Sequence, residues 1–194
     1  MYEVDEIKNF LKERLSEKRY IHSLNVADEC RKLAETYDED PDRAYFAGLV
    51  HDICKELPSE EMKRTAVESD LSMTKAELET KALWHAVAGA GYVRDVMKIN
   101  DEDIINAVRF HTVGRAGMTR LEEIVYMGDL ISADRTYKDV KKFRKLAYQD
   151  LNRAMLEALV FSIESVIEKK GLIPEFTIQA YNQYNFIDHQ ERKS

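Results

Sequence analysis

Apolar residues recur along this chain at intervals of three and four positions. The first series is Val4, Ile7, Leu11 and Leu15. In a second segment, from about Tyr20 to Tyr37, one stripe contains His22, Val26, Cys30 and Leu33. This spacing places the apolar side chains on one face of an α-helix. The pattern therefore predicts two amphipathic helices in the first forty residues.

Residues typical of helix starts divide the next part of the pattern. Asp40 and Asp101 are predicted N-caps, and Thr74 and Thr119 each begin a capping box that ends at a glutamate three positions later. Pro41 follows Asp40 at a first helical position, which suits its missing N–H. These signals predict four further helices, the first of which leads to the dipeptide His51-Asp52.

The last third of the chain continues the helical spacing. One long pattern runs from about Lys138 to Lys170 and stops at Gly171, a predicted C′ residue. Pro174 begins a final segment that we expect to be helical. The basic residues of this region are predicted to form a solvated helix face; they are Lys138, Lys141, Lys142, Arg144 and Lys145.

Composition favours the same fold class. Only seven glycines and three prolines occur in 194 residues, so the turn residues of a sheet-rich fold are scarce. No repeat, low-complexity linker or change of composition divides the chain, and its length suits one domain. The sequence therefore predicts a single all-α domain over residues 1–194.

Charge and cysteine usage exclude several classes of protein. A formal net charge of −7 argues against non-specific nucleic-acid binding, which depends on clustered basic residues. Cys30 and Cys54 show no metal-binding spacing and are predicted to be small buried hydrophobic residues. The sequence has no signal-peptide pattern and no apolar run near the ~20 residues of a membrane helix. We expect a soluble, cytoplasmic protein with no membrane partner.

Six polar residues interrupt the apolar faces of these helices. They are His22, His51, Asp52, His85, His111 and Asp129. Each one alone is more often a hydrogen-bonded core residue than a metal ligand. Burying all six without a cation would destabilise the fold, because buried carboxylates and imidazoles need partners. One or two cations would satisfy them together.

The order of these residues resembles the HD-domain phosphohydrolase superfamily, whose signature is the adjacent His-Asp pair. The surrounding strings resemble its YqeK-type family of symmetric diadenosine tetraphosphate hydrolases. They are Arg19-Tyr20-Ile21-His22-Ser23, the segment Ala47 to Lys55, Trp84-His85, and His111-Thr112-Val113-Gly114-Arg115. The resemblance extends from about Arg19 to Arg135.

The resemblance implies a fold and a cofactor. The fold is an HD-domain helical bundle with its core at about 19–135 and a C-terminal helical extension at about 138–190. His22, His51, Asp52 and Asp129 would hold one metal ion, and His85 and His111 a second, with Asp52 bridging both. The family favours iron, while the ligand types also suit manganese, cobalt or zinc. The implied reaction is hydrolysis of diadenosine tetraphosphate to two ADP by a hydroxide between the metals.

Further residues are candidates for substrate contacts. Lys55 lies three positions after Asp52 and would stabilise the transferring phosphoryl group; alternatively it is an exposed lysine at a helix end. Arg115 would clamp a phosphate, with donors from Thr112 and Gly114, unless it is a solvated loop arginine. Arg19 and Arg135 are weaker candidates of the same kind.

One segment departs from the family pattern and leaves alternatives open. After Asp129, this chain has Ser132 and Ala133 where the family usually has an acidic residue and a proline. This departure bears on the choice of substrate or on the rate of the reaction. The alternatives are another HD-type nucleotide phosphohydrolase or phosphodiesterase, and a non-catalytic nucleotide-binding metal protein. The sequence also leaves a homodimer open, since no heptad repeat specifies one.

Overall fold

The structure, a computed structural model, describes residues 4–193, and these residues form eleven α-helices and one 3-10 turn. The first six helices are α1 (Val4–Arg14), α2 (Glu17–Thr36), α3 (Pro41–Val50), α4 (Ser59–Glu68), α5 (Lys75–Glu79) and α6 (Trp84–Asp95). The others are α7 (Glu102–Phe110), α8 (Arg120–Ile131), α9 (Val140–Ala147), α10 (Leu151–Glu168) and α11 (Glu175–Glu191). The part of the chain described contains no strand, which confirms the all-α prediction.

The predicted helix starts are confirmed in their capping contacts. The Asp40 carboxylate accepts from the backbone N–H groups of Asp42 and Arg43 at the start of α3. Thr74 and Thr119 each form a complete capping box. Helix α2 begins three residues before its predicted start, because the Ser16 hydroxyl accepts from the N–H of Arg19. These caps satisfy backbone donors that have no partner inside the helix.

Two predictions about the last third of the chain are wrong. The pattern from Lys138 to Lys170 forms two helices, and α10 starts anew where Asp150 accepts from the N–H of Arg153 at 3.0 Å. Gly171 is not the left-handed residue at the end of α10. Lys170 has that conformation, with φ 53°, and the N–H of Gly171 donates to the Val166 carbonyl at 2.9 Å. Gly171 is therefore one position beyond C′.

Helices α3 and α8 pack closely against α2 around Cys30. A Cβ atom at Gly48 of α3 would lie 2.9 Å from Cys30 Sγ, and one at Gly128 of α8 would lie 2.5 Å from it. Only glycine permits this approach. Cys30 and Cys54 are completely buried, which confirms their prediction as small core residues. This close packing brings the neighbours of Gly48 and Gly128 in sequence, His51 and Asp129, toward α2.

The C-terminal helices cover the region around α7 and α8. Tyr184 of α11 is buried, and its hydroxyl donates to Glu123 of α8 at 2.6 Å. The Thr177 hydroxyl donates to the carbonyl of Val113 at 2.8 Å. Apolar residues from α1 to α11 belong to one hydrophobic cluster. The division into a core at 19–135 and an extension stays a prediction.

None of the helices within residues 4–193 combines the length and the apolar character needed to cross a membrane.

Candidate metal centre

The six predicted ligands come from five helices and meet in the interior. Most lie at helix ends. His22 lies within α2, His51 and Asp52 follow α3, His85 is in the first turn of α6, His111 follows α7, and Asp129 is in the last turn of α8. The four histidines and Asp52 are at most 4% exposed, while Asp129 is partly exposed. The structure thus gathers all six residues at one buried point.

Asp52 lies at the centre of the cluster and has histidines on both sides. Its Oδ2 atom is 3.4 Å from His51 Nε2 and 3.9 Å from His22 Nε2. Its Oδ1 atom is 3.2 Å from His85 Nε2 and 3.6 Å from His111 Nε2. One carboxylate therefore presents one oxygen to each pair of imidazoles. This arrangement suits a carboxylate that bridges two cations.

Asp129 completes the side of the cluster at His22. Its Oδ1 atom is 3.0 Å from His22 Nε2 and 3.9 Å from His51 Nε2. Within residues 4–193, two groups have ligand atoms that lie within 4.8 Å of one another: His22–His51–Asp129 and His51–Asp52–His111. His85 adjoins the second group, because its Nε2 atom is 3.2 Å from His111 Nε2. The two groups share His51.

Hydrogen bonds fix which ring nitrogen faces the cluster in three of the four histidines. The Nδ1 atom of His51 donates to the Gly48 carbonyl at 2.6 Å, and that of His111 to the Val108 carbonyl at 2.7 Å. Nδ1 of His22 donates to the Asp134 carboxylate at 2.8 Å. Carbonyl and carboxylate oxygens only accept, so Nδ1 carries the proton in all three rings. In the neutral rings, each Nε2 then directs a lone pair at the cluster.

The cluster retains buried atoms without partners. Nε2 of His22, Nε2 of His51 and Oδ1 of Asp52 have no hydrogen-bond partner in the part of the chain described. A buried polar atom without a partner costs about 1–3 kcal/mol. All three atoms are electron-pair donors that face one another, and a cation between them would satisfy all three. The donor set, imidazole nitrogen and carboxylate oxygen, therefore fits a transition-metal ion.

The electrostatics of the cluster favour positive charge at its centre. Burial by itself would raise the pKa of Asp52, but the charge of His51 and the adjacent imidazoles of His111 and His85 hold that pKa well below its usual value. The pKa of Asp129 is lowered in the same way against burial, chiefly by the His22 imidazole 3.0 Å away. Both carboxylates are therefore ionised at neutral pH.

The histidines on the two sides of Asp52 differ in their pKa values. Burial lowers the pKa of His85 to about 4 and also lowers that of His111. Burial opposes charging of His51 too, but the charge of Asp52 outweighs it and raises the pKa of His51. His85 and His111 are thus neutral, as ligands must be. The negative charge of Asp52 that raises the pKa of His51 would equally attract a metal ion.

The sequence profile of the HD domain matches residues 19–154. The chain belongs to the HD-domain family. This assignment agrees with the resemblance seen in the His-Asp dipeptide and its neighbouring strings.

Curated relatives and a solved structure match this chain over most of its length. The chain is 36% identical to the symmetrical bis(5'-nucleosyl)-tetraphosphatase of Bacillus subtilis, and the alignment covers 89% of this chain and 92% of that relative. It is 32% identical to the protein of that name in Staphylococcus aureus, covering 96% and 97%. A crystal structure from Clostridium acetobutylicum, described as a predicted HD superfamily hydrolase involved in NAD metabolism, is 40% identical. It superposes with a TM-score of 0.90 over 95% of this chain and 97% of that one.

Three of the predicted substrate residues bring positive charge to the centre of the HD domain. Arg19 Nη1 is 2.7 Å from Asp52 Oδ2, and the Arg135 guanidinium pairs with Asp129. Lys55 Nζ is 3.0 Å from His85 Nε2 and 3.8 Å from Asp52 Oδ1. Burial lowers the pKa of Lys55. Arg19, Lys55 and Arg135 are each partly exposed.

The predicted loop residues after His111 have different environments. The Thr112 hydroxyl is buried without a partner, and Thr112 lines a cleft together with His111 and Asp129. Gly114 adopts φ +64°, and a Cβ atom there would lie 3.5 Å from side-chain atoms of Leu159 and Ala180. Arg115 donates two hydrogen bonds to the buried Glu122, at 2.7 and 2.6 Å. The Arg115 guanidinium thus binds a carboxylate of the protein itself, and these hydrogen bonds direct it to Glu122 and not to the proposed metal ligands.

Sequence reasoning missed the contacts of three residues near the centre. Asp134 orients His22, and its other oxygen accepts from Ser132 Oγ at 2.9 Å. Ser132, a departure from the family pattern, thus supports a carboxylate two positions later. Arg144 was predicted to be solvated, but it donates to the carbonyls of Ile131 and Ser132 at 2.8 and 2.6 Å. Basic side chains often bind the free carbonyl groups at the end of a helix, and this tendency could have indicated the role of Arg144.

Proposed function

We propose that this chain hydrolyses diadenosine tetraphosphate symmetrically to two molecules of ADP, using two transition-metal ions of which iron is the first candidate. The observation that carries the proposal is the position of Asp52, whose two oxygens face two pairs of histidines. The unpartnered atoms at His22, His51 and Asp52 support a cation at this point. The names of the relatives from Bacillus subtilis and Staphylococcus aureus support the substrate.

The proposed ligands divide around Asp52. His22, His51, Asp52 and Asp129 would hold the first ion, and His85 and His111 would hold the second together with Asp52. Bound metal ions would act as Lewis acids, which lower the pKa of water and offset phosphate charge. Ligation by nitrogen and oxygen without thiolate suits iron, manganese, cobalt or zinc. Cys30 does not belong to this set, because its thiol lies near the Ile124 carbonyl at 3.7 Å.

The basic side chains near the cluster have a separate proposed role, which is to bind the phosphates of the substrate. Arg19, Lys55 and Arg135 surround the two carboxylates from the partly exposed side of the cluster. A polyphosphate that enters there replaces the carboxylates as a partner for these donors. Guanidinium groups suit phosphate because they donate two parallel hydrogen bonds. Lys55 is best placed for charge that develops on the transferring phosphoryl group, since it adjoins both His85 and Asp52.

The products follow from which phosphorus is attacked. Attack of water on one of the two central phosphorus atoms breaks the bond to the bridging oxygen between them, and each half leaves as ADP. The departing ADP is a good leaving group, so the reaction needs no strong general acid. The net charge of −7 argues against a nucleic acid as the partner. We place this activity in the cytoplasm as part of the same proposal.

The experiment combines elemental analysis of the purified protein with anion-exchange chromatography of diadenosine tetraphosphate digests. We expect close to two transition-metal ions per chain and ADP as the sole nucleotide product. His85→Ala should abolish turnover and lower the metal content. His189→Ala is the matched control, because His189 is exposed on α11 and should leave both readouts unchanged.

Other outcomes would contradict the proposal in distinguishable ways. ATP and AMP as products would reject symmetric cleavage. Two bound metals without any cleavage would reject the substrate and direct attention to other nucleotides. Protein that binds no added metal would reject the metal centre itself.

A further inference from the structure

A cleft of about 350 Å³ opens directly beside the metal centre. It is lined by His111 and Asp129, two of the proposed ligands, and also by Phe161 and Ser162 of α10. The volume lies in the range of small-molecule binding sites, about 300–1,000 Å³. Nothing in the proposed chemistry at the metals explains the presence of Phe161 and Ser162.

Two aromatic rings form one wall of the cleft. Tyr137 and Phe161 are stacked, with ring centroids 5.3 Å apart and an interplanar angle of 23°. Both rings are only half-buried, so part of their surface is free. The Tyr137 hydroxyl donates to the Leu130 carbonyl at 3.1 Å, and the buried Phe143 contacts Phe161 at a centroid distance of 5.5 Å. These contacts hold the aromatic wall in place before any ligand binds.

Hydroxyl groups lie close to the aromatic wall. Tyr126 Oη and Ser162 Oγ are 3.2 Å apart, and both residues line the cleft. One hydroxyl donates to the other, which leaves one O–H free to donate to a ligand. The Thr112 hydroxyl, also in the cleft, is buried without a partner. The cleft therefore combines flat apolar surface with a few hydrogen-bonding groups.

We infer that this cleft binds one nucleoside of the substrate, with its purine base against Tyr137 and Phe161. This inference rests on the proposed function and adds to it the site of base recognition. A purine offers a flat ring for stacking, together with ring nitrogens that accept and an exocyclic group that hydrogen-bonds. The polyphosphate then extends from the nucleoside toward Arg135 and the metal ligands. The same cleft holds the nucleoside of the ADP product.

The test is the affinity of two ligands for manganese-loaded protein, measured by calorimetry. ADP carries the base, whereas pyrophosphate carries only the phosphates. Phe161→Leu keeps an apolar side chain of similar reach and removes the ring. We expect the Kd of ADP to rise about tenfold, the effect of losing one stacking contact. The Kd of pyrophosphate should stay unchanged, because pyrophosphate has no base to stack on the ring of Phe161.

Phe176→Leu is the matched control. Phe176 is also half-buried and in ring contact, with Phe110 at 5.3 Å, but it does not line the cleft. Ser162→Leu is a second variant that fills the cleft without removing a packed side chain. It should weaken the binding of ADP and leave that of pyrophosphate unchanged. If circular dichroism shows that Phe161→Leu is unfolded, Ser162→Leu tests the inference in its place.

Several results would overturn the inference. They are an unchanged ADP affinity in Phe161→Leu, an equal weakening of pyrophosphate, an equal effect of Phe176→Leu, or no binding of ADP to the parent protein. ADP binding does not require turnover, so the two proposals fail separately. Phe161-dependent ADP binding without cleavage of diadenosine tetraphosphate would reject only the proposed substrate. Symmetric cleavage with Phe161-independent ADP binding would reject only the nucleoside site.

Discussion

Two groups of buried charged residues differ in how completely the protein satisfies them. Glu77 and Arg109 are almost fully buried and form an ion pair of 2.7 Å between α5 and α7. The other oxygen of Glu77 accepts from the N–H of Thr74 at 2.8 Å, and Arg109 also donates to the Ser72 carbonyl at 2.5 Å. Neither residue has a buried side-chain atom without a partner.

The cluster around Asp52 is also made of buried ionisable residues, but some of its buried polar atoms have no hydrogen-bond partner. Nε2 of His22 and His51 and Oδ1 of Asp52 remain without hydrogen-bond partners. A buried charge persists without such partners only where something else compensates for it. The ion pair of Glu77 and Arg109 thus stabilises the fold by itself, whereas the Asp52 cluster leaves electron-pair donors that a cation could satisfy. Unpartnered electron-pair donors that converge, more than burial of charge, distinguish the candidate metal centre.

The largest expected effect is at Asp52. Asp52→Asn keeps the shape of the side chain but removes the charge and one of the two accepting oxygens, so it cannot bridge two metals. We expect the kcat for diadenosine tetraphosphate to fall by about a thousandfold or more, with fewer than two metals bound per chain. Asp139→Asn is the control, because Asp139 is exposed and its side chain makes no capping bond. Full activity with two bound metals in Asp52→Asn would contradict the assignment.

Breaking the ion pair of Glu77 and Arg109 should lower the stability of the fold without changing the metal centre. Arg109→Met leaves the Glu77 carboxylate buried without its cation, which should lower the free energy of unfolding by about 3–5 kcal/mol. Urea denaturation measures this loss, and elemental analysis of the folded fraction should still find the normal metal content. Arg120→Met is the control, since Arg120 is exposed and pairs with Glu123 at 2.7 Å. It should lose less than about 1 kcal/mol.

The pH dependence of the metal-free protein offers a third test. The folded pKa of His85 is about 4, below its ordinary value of 6.5, because burial disfavours the charged ring. Between these values the unfolded chain binds more protons, so stability is lost as the pH falls. From pH 7 to pH 5, His85 should account for about 2 kcal/mol of lost unfolding free energy. Urea denaturation of the parent and of His85→Gln measures the difference, and equal losses in both would reject a neutral His85.

The smallest expected effect is at Asp134, which acts through His22. Asp134→Asn removes the charged acceptor of the His22 Nδ1–H, so the ring is less firmly oriented and its Nε2 is a weaker donor. Outer partners of this kind are worth about 10–100-fold in metal affinity. We expect about tenfold, because Asp134 is exposed and water can replace part of its contact. Competition with a chelator measures the affinity. An effect no larger than that of Asp139→Asn would make Asp134 a surface residue only.

Much of the fold and the site could be predicted because the signals are local. The caps at Asp40, Thr74 and Thr119 involve residues two or three positions apart, and each one is present. The break between α9 and α10 was missed, because apolar spacing continues through it and Asp150 was not recognised as a cap. The partner of Arg115 was also missed. A loop arginine suggests a free guanidinium, but Glu122 lies in the first turn of α8 and accepts two hydrogen bonds from Arg115.

The sequence by itself determines the helices, their caps and the residue types available as ligands, since these depend on neighbours along the chain. Only the tertiary structure decides that Asp52 presents one oxygen to each histidine pair and that Asp134 orients His22, 112 positions earlier. The same holds for the cleft with its wall of Tyr137 and Phe161. These relations depend on how closely helices pack at points such as Gly48, Cys30 and Gly128. Side-chain volume in three dimensions, which no spacing along the chain encodes, sets that distance.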